Sequence, residues 1–83
     1  MTYTEFEIRF LLAIMAGADE SERGQVEVTA IAEEVYPDAP ESWVTMAVRE
    51  FEVNEFVYNV SRPLMLWSIV LMVTAKGRKH AGP

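Results

Sequence analysis

Apolar residues recur at helical spacing through the first part of the chain. Thr4 and Glu7 have the spacing of a capping box, in which each side chain binds a free backbone N–H at a helix start, and Gly17 is a natural C-terminal stop. The pattern therefore predicts a first helix from about Thr4 to Ala16. Its apolar positions are Phe6, Ile8, Phe10, Leu11, Leu12, Ile14 and Met15. Because its second half is apolar nearly all round, one buried face cannot account for it.

A short strand and a second helix are predicted next. Polar and apolar residues alternate from Gln25 to Val28, which indicates a half-buried strand. Thr29 is a suitable N-cap for a helix from Ala30 to Tyr36, and Pro37 ends that helix because proline disfavours helical geometry in the residue before it. The side chains expected to face inward are Ile31, Ala32 and Val35.

A third helix is predicted from about Ala39 to Val53. Asp38 and Glu41 have capping-box spacing, and Pro40 is tolerated in a first turn, where its missing N–H costs nothing. The buried stripe of this helix should be Val44, Ala47, Val48 and Phe51. Trp43 lies one position off that stripe, so we expect it at the edge of the core.

The hydrophobic pattern changes to that of strands after Asn54. Phe56 to Ser61 and Ser68 to Thr74 are typical of two strands, and Pro63 marks the turn between them because it cannot lie in a central strand. Thr74 is placed to cap a last short helical turn, and residues 77–83 are expected to form a frayed tail. The chain of 83 residues is expected to be one domain.

Three fragments of the chain resemble the winged helix-turn-helix family of transcriptional regulators. They are VTAIAEEV from Val28 to Val35, VTMAVREFEVNEFV from Val44 to Val57, and VTAKGR from Val73 to Arg78. The resemblance implies an α+β winged helix, with a three-helix bundle and a small antiparallel β-hairpin wing. The family usually has glycine where this chain has Glu55, and we expect Asn54 to take the left-handed conformation instead.

The resemblance also implies that the third helix enters a DNA groove, but the charge of the chain disfavours this. All 13 carboxylates lie between Glu5 and Glu55, where three arginines leave a net charge of −10, whereas the rest of the chain carries four basic residues and no acid. DNA affinity comes largely from neutralising phosphates, and four glutamates lie on or beside the third helix. The candidate nucleic-acid-binding residues are Ser42, Thr45, Arg49, Arg62, Lys76, Arg78 and Lys79.

The predicted wing is unusually apolar. Where a DNA-binding wing normally carries glycine and basic residues, this chain has Leu64-Met65-Leu66-Trp67. This segment either forms a partner or dimer interface or folds back over the core, and the first helix, with Phe10 and Ile14, indicates the same interface.

We therefore expect a non-enzymatic, regulator-like module that acts mainly through protein contacts, as a homodimer or with another polypeptide. The alternative is a DNA-binding transcriptional regulator, and a third hypothesis is an acidic protein that mimics DNA. The chain has no cysteine and one histidine, His80, so no catalytic residues, metal ligands or cofactors are expected. No signal peptide precedes the first apolar run, and no apolar run reaches membrane-helix length, so we expect a soluble, cytoplasmic protein.

Overall fold

A computed structural model describes residues 1–61 and 69–81 of the chain. Within these residues the fold is α+β, as predicted, with four helices and a three-stranded antiparallel sheet. The helices are α1 (Tyr3–Glu20), α2 (Val28–Val35), α3 (Glu41–Val53) and α4 (Ala75–Ala81). The strands are β1 (Gln25–Glu27), β2 (Val57–Asn59) and β3 (Val70–Val73). The count differs from the three helices expected because residues 75–81 are also helical.

Helix α1 begins earlier and ends later than the sequence predicts. Its N-cap is Thr2, whose side-chain oxygen accepts from the Glu5 N–H at 3.2 Å, so the capping box expected at Thr4 and Glu7 is wrong. Gly17 does not stop the helix. A Cβ there would lie 2.9 Å from Val26 Cγ1 and 3.0 Å from Ile31 Cδ1, so glycine instead allows β1 and α2 to pack closely on α1.

The core is built around one stripe of α1. Phe6, Phe10 and Ile14 recur every four residues along it and are completely buried, which places them on one face of the helix. Helix α1 packs against α2, α3 and α4 and against the sheet, which explains its apolar character on more than one face. The buried residues contributed by the other elements include Val26, Ile31, Ala32, Ala47, Val48, Phe51, Val57 and Leu71.

Helix α2 begins at the end of strand β1 without an intervening linker. The predicted cap, Thr29, lies inside the helix, and the N-cap is Glu27. The carboxylate of Glu27 accepts from the N–H groups of Thr29 and Ala30 at 3.2 and 2.8 Å. A glutamate serves here because its longer side chain reaches two free N–H groups and its charge favours the positive end of the helix dipole.

Helix α3 has an uncapped start and a well-defined end. The capping box expected at Asp38 and Glu41 is absent, since the N-cap is Pro40, which makes no side-chain hydrogen bond. At the other end the Phe56 N–H donates to the Phe51 carbonyl at 2.8 Å, and the Glu55 N–H donates to the Glu52 carbonyl at 3.0 Å. This pair of bonds is a Schellman motif, which needs a left-handed residue after the helix.

That left-handed residue is Glu55, not Asn54. Glu55 has a φ of 62°, whereas Asn54 has a φ of −82° and uses its side-chain amide to donate to the Glu50 carbonyl at 2.9 Å. The position at which the resembled family has glycine therefore keeps the backbone conformation that suits glycine, although a glutamate occupies it.

The sheet has β3 at its centre. It pairs antiparallel with β1, opposing Val26 to Leu71, and with β2, opposing Val57 to Val73. Val26, Val57 and Leu71 are buried and face the helices. The strands expected over Phe56–Ser61 and Ser68–Thr74 are therefore confirmed in the shorter form of β2 and β3.

Helix α4 is attached to the junction of α3 and β2. The predicted cap at Thr74 is confirmed, because its hydroxyl oxygen accepts from the Gly77 N–H at 3.0 Å. Gly77 is buried, and a Cβ on it would lie 2.2 Å from the Phe56 carbonyl oxygen, so only glycine fits without a backbone shift. The frayed tail expected from Gly77 is thus helical as far as Ala81.

Candidate interaction surfaces

The predicted groove-facing residues of α3 lie together on its surface. Ser42, Thr45 and Arg49 are exposed and spaced by three and four residues, which places them on one face of the helix. The Thr45 hydroxyl donates to the Glu41 carbonyl at 3.2 Å. Met46 is 52% exposed on the same helix. The structure therefore brings these three candidate residues together, as the sequence predicts.

The charge on α3 is unfavourable for contact with phosphates. The helix has one arginine and three glutamates, a net charge of −2, and Glu41, Glu50 and Glu52 are all exposed. Glu55, immediately beyond the helix, is also exposed. A polyanion that approached Arg49 would therefore meet several carboxylates on the same helix.

The segment expected to form an apolar wing lies outside the residues that the structure describes. It comprises Leu64, Met65, Leu66 and Trp67, and the candidate Arg62 lies outside them as well. The expectations placed on these residues therefore remain predictions from the sequence.

The two residues of α1 expected at a partner interface are in the core. Phe10 and Ile14 are completely buried, so the interpretation of these side chains as a contact surface is wrong. Phe10 stacks on Phe6 with ring centroids 5.1 Å apart and also packs on Phe51. Their four-residue spacing marks the face of α1 on which the other elements pack.

The exposed apolar side chains of α1 are Ile8 and Leu12. They are 57% and 46% exposed and lie one helical turn apart. With Leu11, His80 and Ala81 they line a shallow pocket of about 200 Å³ between α1 and α4. We call this surface the α1–α4 face. The sequence indicates a second apolar side of α1, because Ile8 is displaced by roughly 200° around the helix from Phe6.

Helix α4 carries the predicted basic residues. Lys76, Arg78 and Lys79 are exposed, and Arg78 forms an ion pair with Asp19 of α1 at 2.6 Å. The Lys76 ammonium lies 5.8 Å from the centroid of the Phe56 ring, and the His80 ring stacks on the same phenylalanine at 4.2 Å. The basic residues at the end of the chain thus lie on an ordered helix beside α1.

An aromatic cluster closes one end of the core. The Trp43 ring lies 5.7 Å from Tyr3, 5.9 Å from Phe6 and 6.2 Å from Tyr36, and Trp43 is partly exposed, which confirms its predicted place at the core edge. The Tyr3 hydroxyl donates to the Glu7 carboxylate at 2.9 Å. Burial, that hydrogen bond and the charges of Glu7 and Glu50 raise the pKa of Tyr3 to about 12.

A second groove lies between α2 and α3. It has a volume of about 270 Å³ and a mainly apolar lining, and two glutamates, Glu33 and Glu41, lie at its edge. The other lining residues are Thr29, Ala32, Tyr36, Pro37, Ala39 and Val44. We call it the α2–α3 groove. The sequence does not predict this groove. Its acidic character is visible there, because no basic residue lies between Arg23 and Arg49.

Within residues 1–61 and 69–81, no three histidine, aspartate or glutamate side chains are grouped so that they could hold a metal ion. In the same residues, no helix has both the length and the apolar character needed to cross a membrane.

No protein-family model, no curated protein and no solved structure matches this chain.

Proposed function

We propose that this chain is a non-enzymatic binding module of winged-helix type that acts through protein contacts, by self-association across the α1–α4 face. The proposal of a winged helix is supported by the element order, which is helix, strand, helix, helix and two strands followed by α4. It is also supported by the resemblance of the segments that contain α2, the end of α3 and the start of α4.

The observation that carries the proposed contact is the exposure of Ile8 and Leu12. Both side chains belong to α1 and line the pocket between α1 and α4. An apolar patch that has no cover within the described residues is a common feature of interaction sites. Self-association through an isologous contact is the commonest solution for such a surface. On the evidence of the sequence alone, the apolar segment Leu64–Trp67 would also favour self-association.

The test is sedimentation equilibrium over a micromolar concentration series. The wild-type chain should show a mass approaching twice 9.4 kDa, and Leu12→Glu should sediment as a monomer because it places a charge in the contact. Met46→Glu is the matched control, since Met46 is similarly exposed (52%) but lies on α3, and it should leave the dimer intact. A wild-type monomer throughout the series would refute self-association.

A DNA-binding regulator is the second candidate function. The observation that favours it is the position of Ser42, Thr45 and Arg49 on one exposed face of α3. Binding to a fluorescent DNA duplex should then be detectable at low salt, fall steeply as salt rises, and weaken in Arg49→Ala. Glu34→Ala provides a control outside α3. Absence of binding at the lowest salt would exclude this function.

A further inference from the structure

The α2–α3 groove is lined by apolar side chains and by two carboxylates. Ala32, Ala39 and Val44 supply apolar contact, while the carboxylates of Glu33 and Glu41 lie at its edge. Between Arg23 and Arg49 the sequence has five carboxylates and no lysine, arginine or histidine. These acidic residues are Glu27, Glu33, Glu34, Asp38 and Glu41, and the last four are exposed.

Within residues 1–61 and 69–81, none of these five carboxylates forms an ion pair. The ion pair in those residues joins Arg78 of α4 to Asp19 of α1, away from the groove lining. A concave surface lined by charges of one sign concentrates its field and attracts ligands of the opposite sign. The electrostatics of this groove therefore select a cationic ligand and disfavour nucleic acids.

The groove is also held in shape. Pro37 and Pro40 restrict the backbone of the turn between α2 and α3, and the Ala39 N–H donates to the Tyr36 carbonyl at 3.0 Å within that turn. The Tyr36 ring packs on Phe6 and Trp43 at centroid distances of 6.5 and 6.2 Å. A groove fixed in this way loses little conformational entropy when a ligand enters.

We propose that the α2–α3 groove binds a cationic peptide segment of another protein, with one apolar side chain of that segment in the groove and its lysines or arginines beside Glu33 and Glu41. The volume of about 270 Å³ is below the usual range for drug-sized ligands and suits a single side chain. This inference is independent of self-association, because the α1–α4 face has a different lining.

The probe is a fluorescein-labelled peptide of lysine and serine with one central apolar residue, made as leucine, phenylalanine and tryptophan versions. A peptide with alanine at the centre is the matched probe without an anchor. Binding is measured by fluorescence anisotropy, and its location by amide chemical-shift changes in labelled protein. At least one anchored peptide should bind about fivefold or more tightly than the alanine peptide, since burial of a large apolar side chain contributes that much or more. The shifts should centre on Ala32, Ala39 and Val44.

Two charge variants separate the groove from general attraction to an acidic protein. The double variant Glu33→Gln/Glu41→Gln should weaken binding by about two- to tenfold at low salt, since exposed charge pairs contribute modestly. Glu20→Gln/Glu22→Gln makes the same change in net charge at exposed residues outside the groove, and should weaken binding by less than about twofold.

A third variant tests the apolar part of the groove. Ala39→Leu should remove the advantage of the anchored peptides while it preserves the folded spectrum and the salt-dependent attraction. The proposal would be overturned by equal binding of the anchored and alanine peptides, by equal effects of the two charge variants, by chemical shifts outside the groove, or by no binding of any peptide at low salt.

Discussion

Glu55 occupies a backbone conformation that suits glycine. Its φ of 62° completes the Schellman motif of α3, and a side chain in this region costs about 1–2 kcal/mol. Replacement by glycine removes that cost but adds freedom to the unfolded chain. We therefore expect Glu55→Gly to raise the free energy of unfolding by about 0.5–1 kcal/mol in urea denaturation.

The neighbouring residue provides the control for that measurement. Asn54 has an ordinary φ of −82° and its side chain binds the Glu50 carbonyl, so Asn54→Gly should lower the free energy of unfolding. A destabilising effect of Glu55→Gly would contradict the left-handed assignment.

Tyr3 should make stability depend on alkaline pH. Its pKa is raised from 10.0 to about 12, mainly by burial and then by the hydrogen bond to Glu7. Below pH 10 both states hold the proton, so the full stability is present. As the pH rises from 10 to 12 the unfolded chain loses the proton first, and stability falls. Tyr3→Phe should therefore reduce the slope of unfolding free energy against pH in this window.

Glu7→Gln provides the comparison for Tyr3. It removes one of the charges that raise the Tyr3 pKa, so phenolate absorbance should appear at lower pH than in the wild type. An identical alkaline slope in wild-type and Tyr3→Phe proteins would show that Tyr3 has no part in it.

At the scale of the element, the hydroxyl of Thr74 and one ion pair attach α4 to the rest of the fold. The Thr74 hydroxyl shares its one proton between the carbonyls of Glu55 and Phe56, at 2.6 and 3.0 Å, and its oxygen accepts from the Gly77 N–H. The ion pair between Arg78 and Asp19 joins two side chains that are 44% and 60% exposed, where such pairs contribute little.

We therefore expect Thr74→Val to lower the free energy of unfolding by about 1–3 kcal/mol, because it removes these bonds while it keeps the side-chain shape. Asp19→Asn should lower it by less than about 1 kcal/mol. Thermal and urea unfolding of the two variants, together with amide exchange in α4, would check the order. A larger effect of Asp19→Asn would contradict it.

The order and type of the first six elements could be predicted from the sequence, but several of their ends could not. Periodicity reports which side chains are buried, and that set was largely right for α2 and α3. Caps depend on which side chain reaches a free N–H, and Glu27 does so although glutamate is not a favoured N-cap. The sequence predicts Gly17 as a helix stop, whereas its role in the fold is to allow the close approach of Val26 and Ile31, which are distant in sequence.

The candidate surfaces were predicted less well, for a related reason. Helical spacing placed Ser42, Thr45 and Arg49 on one exposed face of α3. Helical spacing alone does not decide which apolar side of α1 is covered, and the prediction that Phe10 and Ile14 lie at an interface is wrong because both are in the core. The α2–α3 groove depends on the packing of two helices, so only its charge was visible in the sequence.

At the scale of the whole molecule, self-repulsion of the acidic body should reduce stability at low salt. Residues Glu5 to Glu55 carry a net charge of −10, and the chain as a whole carries −6. Salt at about 0.1 M screens exposed charges beyond roughly 10 Å. We therefore expect the melting temperature to rise by about 2–5 °C between very low salt and about 0.1 M sodium chloride. A rise of this size is what a small change in unfolding free energy produces in a small domain.

The variant Glu33→Gln/Glu34→Gln should raise the low-salt melting temperature and reduce this increment, since it removes two exposed carboxylates from the acidic body. A melting temperature that is unchanged or falls with salt would contradict net repulsion.

The position of β3 has a consequence for synthesis. Among the three strands of the described residues it comes last in sequence, yet β1 and β2 both pair with it and not with each other. On the ribosome, β1 and β2 therefore emerge before β3, the strand with which both pair, and this three-stranded sheet can close only after Val73 has left the exit tunnel. Nascent chains that stall before β3 would leave Val26 and Val57 without the strand that joins them, and should engage chaperones that bind exposed apolar segments.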